Sequence, residues 1–157
     1  MRVDGKGVVV TCSSCGRSNR LAFEVLNRAT RCGQCKTVLS SPDVPLEASG
    51  TAIFDAAAER SALPLIVDFW APWCQPCQMV APELARVARA NAGRYLVIKV
   101  NTDAVPDVAA RFNIRSIPTL ALVSGGRELG RVTGVRPASD IEAFAARTLA
   151  AATPRAS

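Results

Sequence analysis

Six cysteines stand in three pairs of identical spacing, Cys12 with Cys15, Cys32 with Cys35 and Cys74 with Cys77. That spacing suits metal binding or reversible disulfide chemistry. The chain has no histidine. Nucleophiles activated by imidazole, metal sites with a His ligand and imidazole switches near neutrality are therefore excluded, and cysteine chemistry is largely what remains.

Cys74 directly follows an apolar run from Pro64 to Trp70 that reads as a buried strand, and Cys77 stands at the start of a helical pattern running from Pro76 to about Asn91. First-turn N–H groups and the positive end of the helix dipole stabilise a thiolate, which makes Cys74 the attacking sulfur and the more exposed of the two. A three-residue spacing at a helix start brings the second sulfur within bonding reach, so Cys77 is expected as the buried partner of a disulfide that closes and reopens. The alternatives are a structural disulfide and half of a metal site. A reducing compartment disfavours the first, and the segment around the pair has no further Cys or His to complete the second.

Asp68 and Lys99 each interrupt an apolar strand pattern. Isolated buried charges are costly, so the two are expected to face one another or share a water, with the Asp68 pKa raised. A carboxyl there could take and return the proton of Cys77. The plainer alternative has Asp68 pointing outward and Lys99 reaching solvent. Pro118 opens the run Thr119 to Val123; spacing alone favours an ordinary trans strand-edge proline, whereas a cis bond would leave the Ile117 backbone ready to hold an extended substrate.

Cys12-Ser-Ser-Cys15 and Cys32-Gly-Gln-Cys35 are separated by sixteen residues, as two rubredoxin-like knuckles around one tetrahedral ion would be. Four thiolates suit one structural Zn2+ per chain, with no open position for water. Iron fits the same ligands, and a reversible pair of disulfides is a further alternative. Arg17, Arg20, Arg28, Arg31 and Lys36 surround these pairs, but Phe23 is the only aromatic there. Without a stacking platform the charge reads as a solvated or protein-docking face, and nucleic-acid binding is not expected.

These residues need elements to place them. The 157 residues are 49% apolar and 20% charged with a net charge of +6, enough for one modest core plus an appendage. Composition divides the chain into a zinc-ribbon-like module at 1–40, a linker at 41–45, a larger domain at 46–150 and a flexible tail at 151–157. The first 45 residues carry +4 and the rest +2. In the larger domain Thr51 is expected to cap a helix to about Arg60. Strands follow at Pro64–Trp70, Tyr95–Val100, Thr119–Val123 and Glu128–Thr133, and further helices at Pro76–Asn91, Val105–Phe112 and Ala138–Leu149. Parallel crossovers first and a hairpin last imply an α/β domain with a mixed sheet. No segment has the apolar length of a signal h-region or a membrane span, and the expectation is a cytoplasmic monomer.

The stretch from Val67 to Cys77, Val-Asp-Phe-Trp-Ala-Pro-Trp-Cys-Gln-Pro-Cys, resembles the thioredoxin family, whose pattern is DFWAxWCGPC. The likeness continues through Pro82, Lys99 to Asp103, Phe112 to Thr119, Gly125-Gly126 and Gly134, over about residues 46 to 150. It implies the thioredoxin fold and protein-disulfide reductase activity, with Cys74 attacking, Cys77 resolving, Asp68 as the buried acid, Lys99 its partner and Pro118 cis. Trp70, Trp73, Pro76, Ile117 and Gly134 match the surface where substrates and an NADPH-dependent flavoprotein, thioredoxin reductase, dock. The resemblance implies a redox-active disulfide and no bound organic cofactor. Gln75 departs from the family glycine, which bears on redox potential and docking. The first two pairs resemble the zinc-binding extension of the thioredoxin 2 type. A rival reading makes the chain an adaptor or chaperone in which the ribbon recruits a partner and the larger domain is scaffold, and net disulfide formation is a third possibility.

Overall fold

The computed structural model describes residues 1–152. Two sheets are present. The first is antiparallel, with strands β1 (Arg2–Val3), β2 (Gly7–Thr11) and β3 (Ser18–Ala22) in the order β1-β2-β3. The second has five strands, β4 (Leu46–Glu47), β5 (Leu65–Trp70), β6 (Leu96–Asn101), β7 (Thr119–Ser124) and β8 (Arg127–Thr133), in the order β4-β6-β5-β7-β8. β6 runs parallel to β4 and β5, while β7 and β8 are antiparallel to their neighbours, which makes the sheet mixed as expected.

Alternation along β5 sorts the core into two layers. Leu65, Val67 and Phe69 join Phe54, Ala57 and Ala58 of α1 (Thr51–Arg60), with Val108 of α3 (Pro106–Arg111) in the same layer. Ile66 joins Val80, Leu84 and Val87 of α2 (Gln75–Ala90) and Ile141, Phe144 and Ala145 of α4 (Ala138–Ala152). Asp68 has the parity of Ile66, so the pleat sends it to the α2 side. Both faces of β5 are covered, which explains its nearly continuous apolar run.

Two local expectations change, at the first and last helices of the larger domain. Thr51 does not cap α1: Gly50 holds the N-cap position and no side chain bonds there. The Ala138 N–H at the start of α4 is satisfied by Glu83 Oε1 of α2 at 3.1 Å, so that helix start is held by a neighbouring helix. The same helix extends to Ala152, beyond the end expected at Leu149; of the tail expected at 151–157, residues 153–157 lie outside the described residues.

The Cys-bearing module, short of large apolar residues in sequence, borrows a core. Val8, Val10, Leu21, Phe23 and Leu26 belong to the same buried cluster as Phe54 and Leu65. At the junction the Ala62 N–H donates to the Phe23 carbonyl at 2.9 Å, and Arg60 places its guanidinium 5.9 Å from the Phe23 ring centre while Nε bonds Glu24 at 2.7 Å. In the intervening segment Pro42 is buried while Val44 is exposed. Phe23 has no exposed surface, and Phe23→Ala is expected to lower stability by about 3–5 kcal/mol in urea unfolding. A change below 1 kcal/mol would show that the module only rests on the domain.

Candidate active site and cysteine cluster

β5 ends at Trp70, and residues 71–74 deliver the chain to the N-terminus of α2. Cys74 is the N-cap of that helix, and its Sγ accepts the backbone N–H of Cys77 at 3.2 Å. Proline in the first turn of α2 gives up only an N–H that has no intrahelical acceptor. Cys74 and Cys77 are joined as a disulfide, with Cα atoms 5.3 Å apart. The expected contrast in exposure is absent, because Cys74 is 3% and Cys77 4% exposed. Trp70 and Ile117 pack against this pair and Ala71. The sulfurs therefore differ by position on the helix and not by burial.

The Ile117–Pro118 peptide is cis, against the trans reading that spacing favours and in line with the family resemblance. It brings the Ile117 carbonyl oxygen to 3.8 Å from Cys74 Sγ. The Gly134 N–H bonds the Pro118 carbonyl at 3.0 Å with φ of 85° at Gly134, a left-handed conformation that suits glycine. Trp73 is 71% exposed beside the disulfide, its indole Nε1 donating to Asp103 at 3.0 Å. Gln75 and Pro76 are exposed in the first turn of α2. A groove of about 180 Å³ next to these residues is lined by Trp73, Thr102, Ala109, Ile114, Arg115 and Ile117, with Ser116.

Asp68 and Lys99 stand side by side in the β5–β6 register, yet they form no direct ion pair. Among the described residues neither carboxyl oxygen of Asp68 has a hydrogen-bond partner. Burial pushes its pKa up to about 7, opposed by the charge of Lys99 and assisted by that of Glu47. Lys99 instead carries its ammonium 4.5 Å from the centre of the Trp70 ring, and the Trp70 indole donates to Glu47 at 3.2 Å. Glu47, Asp103 and Arg115 are the site residues that sequence reasoning passed over. The signal for Glu47 was one charge in a two-residue edge strand, too short for a pattern.

The other four cysteines gather in one place. Their Sγ atoms all lie within 4.8 Å of one another, with Cys12 to Cys35 at 3.5 Å and Cys15 to Cys32 at 3.6 Å. These separations bracket the edge, about 3.8 Å, of a tetrahedron built from Zn–S bonds near 2.3 Å. Both turns have one design. The Gly16 N–H bonds the Cys12 carbonyl and the Lys36 N–H bonds the Cys32 carbonyl, with φ of 80° at Gly16 and 67° at Lys36. Backbone N–H groups of Cys35 and Gln34, with the Asn19 amide, hold the Cys32 pKa down to about 6. Arg17's backbone lowers Cys15, but burial and the neighbouring thiols outweigh it and raise its pKa to about 11. Four sulfurs this close with no bond between them are a donor set that a cation relieves, so the cluster could hold a metal ion.

A disulfide at a strand-to-helix junction, with the carbonyl before a cis proline beside it and a buried carboxyl in the strand that leads to it, defines a thiol–disulfide exchange site on an α/β sheet. The thioredoxin family model matches residues 45–147. Thioredoxin C-3 of Corynebacterium nephridii is 41% identical over 128 residues, covering 81% of this chain and 86% of that protein. Thioredoxin 1 of Nostoc sp. (strain PCC 7120 / SAG 25.82 / UTEX 2576) is 51% identical over 77 residues, covering 49% of this chain and 72% of that one. Among solved structures, a mutant thioredoxin from Halobacterium salinarum NRC-1 superposes with a TM-score of 0.63 at 27% identity, covering 70% of this chain and 95% of that one. The chain belongs to the thioredoxin family, and it is a thioredoxin-type protein-disulfide oxidoreductase.

Burying an ionisable carboxyl has a pH-dependent cost. Because the folded pKa of Asp68 lies above its unfolded value, the native state loses stability progressively as pH rises from about 4 through 7. Asp68→Asn is therefore expected to be more stable than the parent at pH 8 by about 2–4 kcal/mol, with the difference vanishing near pH 4 in denaturant titrations. Equal stability at both pH values would place the ionised carboxyl in water.

Proposed function

We propose that the chain reduces disulfides in protein substrates through a mixed disulfide on Cys74. The observation that carries this reading is the Cys77 N–H aimed at Cys74 Sγ in the first turn of α2, a donor that stabilises negative charge on the front sulfur once the pair is reduced. The Cys74 thiolate attacks a substrate disulfide and expels one substrate thiolate, which takes a proton from solvent. Cys77 then passes its proton to the Asp68 carboxylate and attacks Cys74 Sγ. The second substrate sulfur leaves, the substrate has gained two electrons, and the Cys74–Cys77 disulfide has formed. A flavoprotein thioredoxin reductase, fed by NADPH, returns two electrons to the pair.

The remaining site residues have binding roles in this scheme. Trp70, Trp73, Gln75, Pro76, Ile117 and Gly134 form the docking surface, Pro118 presents the Ile117 backbone to an extended substrate segment, and Lys99 biases the charge of Asp68. Gln75 stands exposed one residue after the nucleophile, where a side chain adjusts both docking and potential. Cys12, Cys15, Cys32 and Cys35 would hold one structural Zn2+. The ion supplies a cross-link between the two knuckles and leaves no position for substrate. A reducing cytoplasm is the setting in which both the free thiols and the reductive chemistry persist.

Reduced Cys77→Ser, mixed with insulin, is expected to accumulate an insulin chain disulfide-linked to Cys74, and Cys74→Ser is expected to reduce no insulin. Absence of the adduct together with retained turnover in Cys74→Ser would overturn the assignment. For the cluster, elemental analysis is expected to find one zinc per chain. Removing it with a strong chelator should lower Tm by about 5 °C or more while most insulin turnover survives. An unchanged Tm would contradict a structural ion.

A further inference from the structure

Three charged residues form a row across neighbouring strands of the larger sheet. Glu47 of β4 is the register partner of Lys99 of β6, and Lys99 is the register partner of Asp68 of β5. All three have the parity that faces α2, as does Trp70. A lysine between two carboxylates can serve either. Here its ammonium lies over the Trp70 ring, and that ring is fixed by its indole N–H to Glu47 Oε2. Asp68 is left with both oxygens unpartnered among the described residues.

We propose that Glu47 is a positioning residue for the proton transfer assigned to Asp68: it fixes the Trp70 indole, against whose ring the Lys99 ammonium rests, and so keeps the Asp68 carboxyl free of an ion pair. The proposal rests on the reading of Asp68 as the group that takes the Cys77 proton. A carboxylate locked to Lys99 would be a weak base. One without that partner, and repelled by Glu47, holds and releases a proton near neutral pH. The charged groups that bear on Asp68 are Lys99 from β6 and Glu47 from β4; β7 sets apolar Leu120 opposite it.

Glu47→Leu removes both the charge and the acceptor of the Trp70 N–H, whereas Glu47→Gln removes the charge but keeps an acceptor. In the full-length protein with Cys74–Cys77 oxidised, the Asp68 carboxyl carbon is followed by 13C NMR as pH is raised. Its midpoint is expected to fall by about half a pH unit or more in Glu47→Leu and to stay nearer the parent value in Glu47→Gln, which still holds the indole. The insulin-reduction pH profile should move the same way, and Glu47→Leu should no longer move it when Asp68 is already Asn. An Asp68 midpoint unchanged in a folded Glu47→Leu protein, or one that falls equally in Glu47→Gln, would overturn the proposal. The NMR midpoint does not depend on turnover, so a parent protein that reduced no insulin would sink the reductase reading and leave the role of Glu47 to be decided separately.

Discussion

One backbone hydrogen bond organises the chemistry of this chain: the Cys77 N–H points at Cys74 Sγ across the first turn of α2. A helix start leaves its first N–H groups without intrahelical acceptors, and here a sulfur takes the place of the usual capping oxygen. That geometry needs a rigid strand to bring the chain to the turn. β5 provides it by pairing with β6 on one side and β7 on the other, buried on both faces. The cis Ile117–Pro118 segment then covers the front sulfur, with Trp70 against the same pair.

The same chain carries a second arrangement of sulfur with a different outcome. Around Cys74 and Cys77, two sulfurs meet at one helix start and bond to each other. In the module, two tight turns bring together four sulfurs that no covalent pairing joins, with backbone donors on Cys15, Cys32 and Cys35. Helix position favours exchange, whereas knuckle geometry favours ligation. The module is also built into the protein's packing: Phe23 and its neighbours continue the layer that contains Phe54 and Leu65. A short segment with few large side chains buries them by leaning on the domain beside it.

Much of this was legible in residue order because the larger domain is strongly patterned. The apolar run of β5, the 3.6-residue repeat of α2 and the Gly125-Gly126 turn identify an α/β mixed sheet, and the three CxxC pairs sort by context into exchange and ligation. What sequence missed has physical causes. Spacing could not reveal the cis peptide before Pro118, since trans is the default for X–Pro bonds. Register could place Asp68 beside Lys99, but not foresee that the long lysine stem turns to the Trp70 face. Glu47 sits in a two-residue edge strand without periodicity, and the burial of the module depends on a surface that only folding creates.

The central claim is that the helix start makes Cys74 an unusually ready thiolate. The direct measurement is the rate of iodoacetamide alkylation of the reduced protein against pH, with the modified residue identified by mass spectrometry. Selective modification of Cys74 that is already fast at neutral pH, together with thiolate ultraviolet absorbance there, is the predicted result. A Cys74 that reacts no faster than free cysteine, gaining reactivity only at alkaline pH, would contradict the account.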